Sequence, residues 1–342
     1  MTETQEFLCS AEELEDFTTS VLRAVGTNET DASYMAGQIV GSELAGHESH
    51  GMRRLPEYVG RVREGHADPA ASASIELDNG SLVRLNGNCG FGHTVLRDAT
   101  ELAVDRAKTR GISAVAVHNS EYAGRLSYFC EAAADAGMAT LIFINDSGSG
   151  RAVAPPGGLE GRMSTNPIAA GIPRAQAPHL VLDIATSTVA LGTLSEWRDR
   201  GEALPEGWVT PGGFLQPFGG HKGFGLALIA EALAGALTTA GTVSNDPAQE
   251  LQGALIIAIN IEQLRPLGDF ANEVESFVKY INDTPVAEGA DVIRVPGERS
   301  AENTEQRKVD GIRIKPFTWN AMEQVAEECN VPMPGHSRST PS

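Results

Sequence analysis

The sequence predicts a mixed α/β (α+β) fold, and three observations predict it. The first seventy residues carry helical patterning. From Ser81 onward, short apolar strands alternate with helices that end at glycine. Loops rich in Gly and Pro, such as Ser147–Gly161, separate these units.

Taken in order, Ser10-Ala-Glu-Glu13 is a capping box that opens an amphipathic helix to Val25. A second helix covers Thr30–Leu44 and stops at Gly46. A third runs from Pro56 to Gly65, with Asp68-Pro69 after it. Ser81–Leu85 is a strand, followed by a glycine-rich turn, Asn86–Gly92. His93–Arg110 is a helix, Ile112–His118 a strand, Tyr122–Ala136 a helix and Met138–Asn145 a strand. Ile168–Ile172 and His179–Ile184 are strands, and Gly219–Gly225 opens a long helix to Ala240. Ala254–Asn260 is a strand, Phe270–Asn282 a helix and Asp291–Val295 a strand. Ala301–Asp310 is helical, Ile312–Lys315 a strand and Thr318–Cys329 a final helix. The proline- and serine-rich end, 333–342, is expected to be disordered.

At 342 residues the chain can bury two cores. Lys and Arg total 26 against 45 acidic residues, a net charge of −19. That surface repels phosphate backbones and anionic lipids, so nucleic acid and membrane are excluded as partners. Cys9, Cys89, Cys130 and Cys329 form no CxxC pair and no disulfide framework. The acidic stretch Met1–Glu15 lacks the pattern of a signal peptide, and no run is apolar enough to span a bilayer. A cytoplasmic protein is expected.

The chemistry concentrates in Gly46–Tyr58. His50 can give or take a proton near neutral pH, and Arg54, four residues on, offers a fork that matches a carboxylate. The plain alternative is a solvated polar helix start. His47 and His50 lie three apart with Glu48 between them, one residue short of the zincin spacing, so no metal is expected. Asp183, ending an apolar strand, is the carboxylate expected to be buried, with a helix N-cap as its other reading. Gly219–Gly225, with Lys222 at a helix start, suits an anion or equally a close helix–sheet contact. The GxGxxG, Walker A and GxSxG patterns are all absent.

These stretches together resemble the type-2 malate/L-lactate dehydrogenase family, non-Rossmann NAD(P)-dependent enzymes that include sulfolactate dehydrogenase and piperideine-2-carboxylate reductase. The resemblance covers Ser10 to Pro332 and rests on Gly46–Tyr58, Ser164-Thr-Asn-Pro167, Asp183–Gly192, Pro217–Gly225 and Val295–Arg299. It implies a non-Rossmann NAD(P)-binding domain with a largely antiparallel sheet flanked by helices, residues 81–299. A helical substrate and dimerisation domain would use 1–80 with about 300–332. The implied reaction moves a hydride between NAD(P)H and the α-carbon of a small 2-oxo or 2-hydroxy acid. His50 would be the acid/base and Asp183 its electrostatic support. Ser49, Arg54, Tyr122 and Thr165 would bind the substrate carboxylate and its neighbours. Asp183, Thr186, Ser187, His221, Lys222, Gly223, Gly297, Glu298 and Arg299 would wrap NAD or NADP. A homodimer with shared active sites is implied too. The chain departs from the family pattern at Tyr122, where histidine is usual, at Thr193, where lysine is usual, and in a shortened 208–213 loop. The alternatives are a cyclic imino acid reductase of the same family, a cofactor-binding protein without catalysis, and a metal-dependent hydrolase built on His47 and His50.

Overall fold

The computed structural model describes residues 6–148, 150–199, 201, 203–244 and 250–339. Strand β1 (Glu6–Cys9) leads to α1 (Ala11–Ala24), where Ser10 Oγ accepts the Glu13 N–H and the Glu13 carboxylate accepts the Ser10 N–H, the expected capping box. Helix α2 (Glu29–Leu44) ends at two 3₁₀ turns, Glu48–His50 and Met52–Arg54, which run into α3 (Leu55–Arg63). The sheet region follows: β2 (Ser74–Asp78), β3 (Leu82–Gly90), α4 (Gly92–Arg110), β4 (Ile112–Ser120), α5 (Ser127–Asp135), β5 (Met138–Asp146), β6 (Ile168–Ile172) and β7 (Leu180–Ile184). After α6 (Leu191–Asp199) and α7 (His221–Ala230) come β8 (Gln252–Asn260), α8 (Leu267–Asn282), α9 (Glu298–Asp310), β9 (Ile312–Ile314), α10 (Pro316–Cys329) and β10 (Ser337–Ser339).

Seven strands form one mixed sheet in the order β2-β3-β4-β8-β5-β6-β7. Only β3 and β4 pair in parallel; every other neighbouring pair is antiparallel. The cause is β8, a nearly continuous apolar run that slots between β4 and β5 and runs against both. A Rossmann arrangement would keep those strands parallel. The sheet's apolar face packs on α4 and α5, with Leu96, Phe129, Ile142 and Ile256 in that core. A second core joins α1, α2 and α3 to α10 and β9 through Leu14, Met35, Ile39, Leu55 and Met322. A small third cluster holds Val153, Met163, Leu194 and Leu215. Among the described residues no helix is long and apolar enough to cross a membrane.

Several elements differ from expectation. β3 continues through the stretch read as a turn, because Asn88 and Cys89 adopt positive φ and bulge the strand without ending its pairing. Tyr122–Leu126 is not helical: Gly124 sits at φ +74, and a Cβ there would lie 2.2 Å from His93 Cε1. The helix to Ala240 is α-helical only to Ala230 and then widens into a π turn, Glu231–Ala236. There the Glu231 carboxylate accepts from Asn145, Asn166 and the Val243 N–H. Among the described residues Asp291–Val295 pairs with no strand, and Val292 is exposed. The described part of the supposedly disordered tail is ordered by β1, whose free edge pairs with Ser337–Ser339; residues 340–342 lie outside the described residues.

Glu43, in the last turn of α2, is buried, and its Oε1 accepts the Met52 N–H at 2.8 Å. Gly51 must be glycine, since a Cβ would lie 2.3 Å from that oxygen. Burial, reinforced by Glu48, raises the Glu43 carboxyl to about 8, while the Met52 N–H, Arg307 and Lys315 pull the other way. A folded-state pKa raised from 4.5 stabilises the fold fully below 4.5, and that contribution is lost as pH rises through about 8. The urea midpoint should therefore fall on going from about pH 6 to about pH 9, and Glu43→Gln should flatten that fall. Equal slopes for the two proteins would contradict a buried neutral carboxyl.

Candidate active site

A cavity of about 820 Å³ opens where the three apolar clusters meet. The 3₁₀ turns put Ser49, His50 and Arg54 on one wall. The strand ends of β5 and β7 put Asp146 and Asp183 on another, and the start of α6 closes a third.

Ser49 ties the first wall together. Its Oγ lies 2.9 Å from His50 Nδ1, and its carbonyl accepts Arg54 Nε–H at 3.0 Å. A hydroxyl can donate to Nδ1 or accept from it, so Ser49 can follow either tautomer and either charge state of the ring. Arg54 Nη1 pairs with Glu57 at 2.5 Å, and among the described residues Nη2 makes no hydrogen bond. The guanidinium lies 4.7 Å from the Tyr122 ring centroid, and the His50 ring 6.1 Å from that ring. Burial, then the Arg54 charge, pushes His50 down to about 3, so the imidazole is neutral. A carboxylate beside Arg54 would offset the guanidinium charge and lift the imidazole again. Tyr122 is raised to about 12 by burial, against the pull of Arg54, and stays a neutral phenol.

Behind this wall runs a buried polar chain. Tyr58 Oη meets His93 Nε2 at 2.8 Å, His93 Nδ1 meets Gln38 Oε1 at 2.5 Å, and Gln38 Nε2 donates to Tyr34 at 2.6 Å. Burial depresses His93 to about 3 as well, which suits a neutral ring bonded at both nitrogens.

Asp183 is half-buried and is held by Ser127, whose N–H and Oγ–H donate to Oδ2 at 2.9 and 3.0 Å. It therefore caps α5 and makes no hydrogen bond to His50. Its charge acts instead on His47, whose imidazole burial and then Arg125 push down while Asp183 lifts it. His47 Nε2 lies 3.1 Å from Ser300 Oγ on α9, and among the described residues no three metal-binding side chains converge.

Of the residues singled out from sequence, Ser49, His50, Arg54, Tyr122, Thr165, Asp183 and Ser187 line the cavity. Thr186 is buried behind it and bonds the Thr165 carbonyl through both its N–H (2.9 Å) and its hydroxyl (2.7 Å). Gly223 packs against that same segment, where a Cβ would meet the Thr186 carbonyl at 2.4 Å. His221 and Lys222 are exposed at the start of α7, outside the lining. Gly297, Glu298 and Arg299 lie off the cavity too. Gly297 is at φ +103 against the His179 carbonyl, Glu298 pairs with Arg174, and Arg299 is largely exposed. Lining residues not singled out include Arg125, Asp146 and Gln252. Asp146 carries the same signal as Asp183, a carboxylate closing an apolar strand; Arg125 and Gln252 carry none.

The cavity has room for more than a small acid. Asp183 can accept from ribose hydroxyls, as can the oxygens of Ser187 and Thr188, whose own hydrogens go to the Val189 and Trp208 carbonyls, and the start of α6 lines the cavity where an anion could meet helix-start N–H groups. That set fits a nicotinamide dinucleotide.

A family model described as malate/L-lactate dehydrogenase matches residues 9–323. The L-lactate dehydrogenase of Cupriavidus necator is 35% identical over 89% of this chain and 92% of its own. The malate/(S)-sulfolactate dehydrogenase of Methanothermus fervidus is 32% identical over 95% of this chain and 98% of its own. The crystal structure of malate dehydrogenase from Entamoeba histolytica superposes with a TM-score of 0.89 at 26% identity, covering 96% of this chain and 100% of that one.

Gly192, the second residue of α6, lies against Ser49: a Cβ there would come 2.7 Å from Ser49 Cβ. Gly192→Ala should push Ser49 and the His50 ring out of place and lower turnover about tenfold or more, with little change in melting temperature. Steady-state kinetics beside a thermal melt would check it; full turnover would mean that Ser49 does not set the ring.

Proposed function

The chain belongs to the malate/L-lactate dehydrogenase family, and from that premise we propose how its own residues carry the reaction. It is a hydroxy acid dehydrogenase, acting on a CH–OH group with a nicotinamide cofactor. The observation that carries the residue assignment is the Ser49-linked pair of His50 and Arg54 in a cavity large enough for both reactants.

A nicotinamide bound here supplies or accepts the hydride. Arg54 holds the substrate carboxylate through its Nη2 edge, since Nε and Nη1 are committed to Ser49 and Glu57. That contact fixes the α-carbon near His50. In the oxidising direction the neutral imidazole takes the hydroxyl proton, with Ser49 Oγ accepting at Nδ1 as the ring becomes charged. In the reducing direction the same ring returns the proton to the carbonyl oxygen. Tyr122 flanks both with a neutral hydroxyl. Asp183, Ser187 and the α6 start hold the cofactor, which is NAD or NADP. Thr186 and Gly223 shape the wall behind it.

The helices of 1–80 and 300–332 form a substrate and dimer domain beside the cofactor domain 81–299, a division supported by their separate apolar cores. A homodimer is supported by Leu226, Leu228, Ile229 and Leu237, large apolar side chains left exposed around the end of α7. The four cysteines are all free thiols, which fits the reducing cytoplasm.

His50→Gln should lower kcat about a hundredfold or more while cofactor fluorescence titrations stay unchanged. Arg54→Lys should chiefly raise KM for the acid. Because a depressed imidazole must be charged to act as an acid, reduction should speed up as pH falls from about 8 to about 5, whereas oxidation, which needs the neutral ring, should change little until pH approaches about 3. Unchanged turnover in His50→Gln would remove the assignment.

A further inference from the structure

Asp146 is the last residue of β5, half-buried in the cavity wall. Its Oδ1 accepts from Gln252 Nε2 at 2.6 Å, and its Oδ2 accepts from the Ser164 hydroxyl. The orientation of Gln252 is set from the other end, because its Oε1 accepts the Ala123 N–H at 3.0 Å. The amide must therefore turn its NH₂ towards Asp146, so that carboxyl is held as an acceptor by two neutral donors. Gly150 closes over it: a Cβ there would lie 2.9 Å from Asp146 Cβ and 3.2 Å from Ser164 Cβ.

Each of the cavity's arginines has a glutamate partner, although among the described residues the buried Nε of Arg125 makes no hydrogen bond. Arg54 pairs with Glu57, Arg61 with Glu121 and Arg125 with Glu131. Among the described residues no lysine or arginine pairs with Asp146 or Asp183, which rest on Ser164, Gln252 and Ser127 alone. Burial raises the Asp146 carboxyl, against the Ser164 and Gln252 hydrogen bonds and the more distant Arg54 charge, and Asp146 in turn acts on Tyr122, so it lies within electrostatic reach of the carboxylate end of the site. One substrate carboxylate can take the open edge of Arg54. A second anionic group on the Asp146 side would meet two carboxylates that form no ion pair among the described residues, where like charges repel.

We infer that Asp146 makes this enzyme selective for 2-oxo acids bearing a single negative charge, with an uncharged O–H or N–H donor on the rest of the molecule. Asp146 accepts that donor, and it repels the second carboxylate or sulfonate of a dianionic substrate. This rests on the reading of His50 and Arg54 given above, and it names the substrate class of that same site.

The test separates binding from turnover. Fluorescence titration of the cofactor-loaded protein should show oxamate, a monoanion with an N–H donor, binding about tenfold or more tightly than the dianion tartronate. Asp146→Asn, nearly the same shape without the charge, should shrink that ratio about tenfold, and Asp146→Ser, a shorter neutral side chain, should shift it the same way. In kinetics, hydroxypyruvate and pyruvate should exceed oxaloacetate in kcat/KM, with the gap narrowed in both variants. Tighter binding of tartronate by the natural protein, or a ratio unmoved in both variants, overturns the inference. Failure to turn over any acid would count against the His50 mechanism, and the oxamate-to-tartronate ratio would still decide the role of Asp146.

Discussion

The site depends on one buried carboxyl. Glu43 projects from the end of α2 into the apolar core and takes the Met52 N–H, which pins the junction between the two 3₁₀ turns. A buried acid of this kind is costly unless it is protonated or well bonded; burial raises this carboxyl to about 8, which favours the protonated form at neutral pH, and the Met52 N–H bonds it. The same junction is fastened from the C-terminal side. Arg307 donates to the Glu43 carbonyl, and Arg307 and Lys315 pair with Glu48. Ser49, His50 and Arg54 are thus carried on a short irregular segment held at both ends by elements distant in sequence. A free loop of the same composition would not hold a histidine and an arginine in fixed register.

The opposite wall follows a similar logic with different groups. Buried Glu231 sits where α7 widens into its π turn and collects three donors, two of them from Asn145 and Asn166. Asn145 precedes Asp146 and Asn166 follows Thr165, so one carboxylate aligns two lining segments. Thr186 then binds the Thr165 carbonyl, linking these segments to the strand that ends in Asp183. Both walls therefore use a buried acid, away from the reacting atoms, to fix the groups that face the cavity. The charge inside is arranged likewise: each arginine has a glutamate partner, with the Nε of Arg125 left over, and the aspartates are held by neutral donors.

The order of the elements was legible in the sequence because it rests on local signals. The capping box at Ser10, the Pro56 helix start and the glycine stops at Gly111 and Gly137 each act within a few residues. His50 and Arg54 do share a wall, but not through the helical turn their spacing of four suggests: Gly51 breaks the helix between two 3₁₀ turns, and Ser49 links the two side chains. Motif order carried the family. The sequence by itself thus determined most of the elements, the family and the wall bearing the histidine, but not β1, β2 or α6.

Tertiary structure decided the rest, through contacts between residues far apart in the chain. β8 enters the sheet between β4 and β5 more than a hundred residues later, and nothing in its apolar run announces that it will make the sheet antiparallel. Tyr122–Leu126 reads as helix, yet Gly124 must turn aside for His93. Asp183 reads as a partner for His50, but Ser127, 56 residues away, claims its oxygen first. The acceptor character of Asp146 comes from Gln252, whose amide is oriented by the Ala123 N–H. Local propensity acts through neighbouring residues, whereas the direction of a strand and the partner of a buried polar atom are settled only when distant segments compete for the same hydrogen bond.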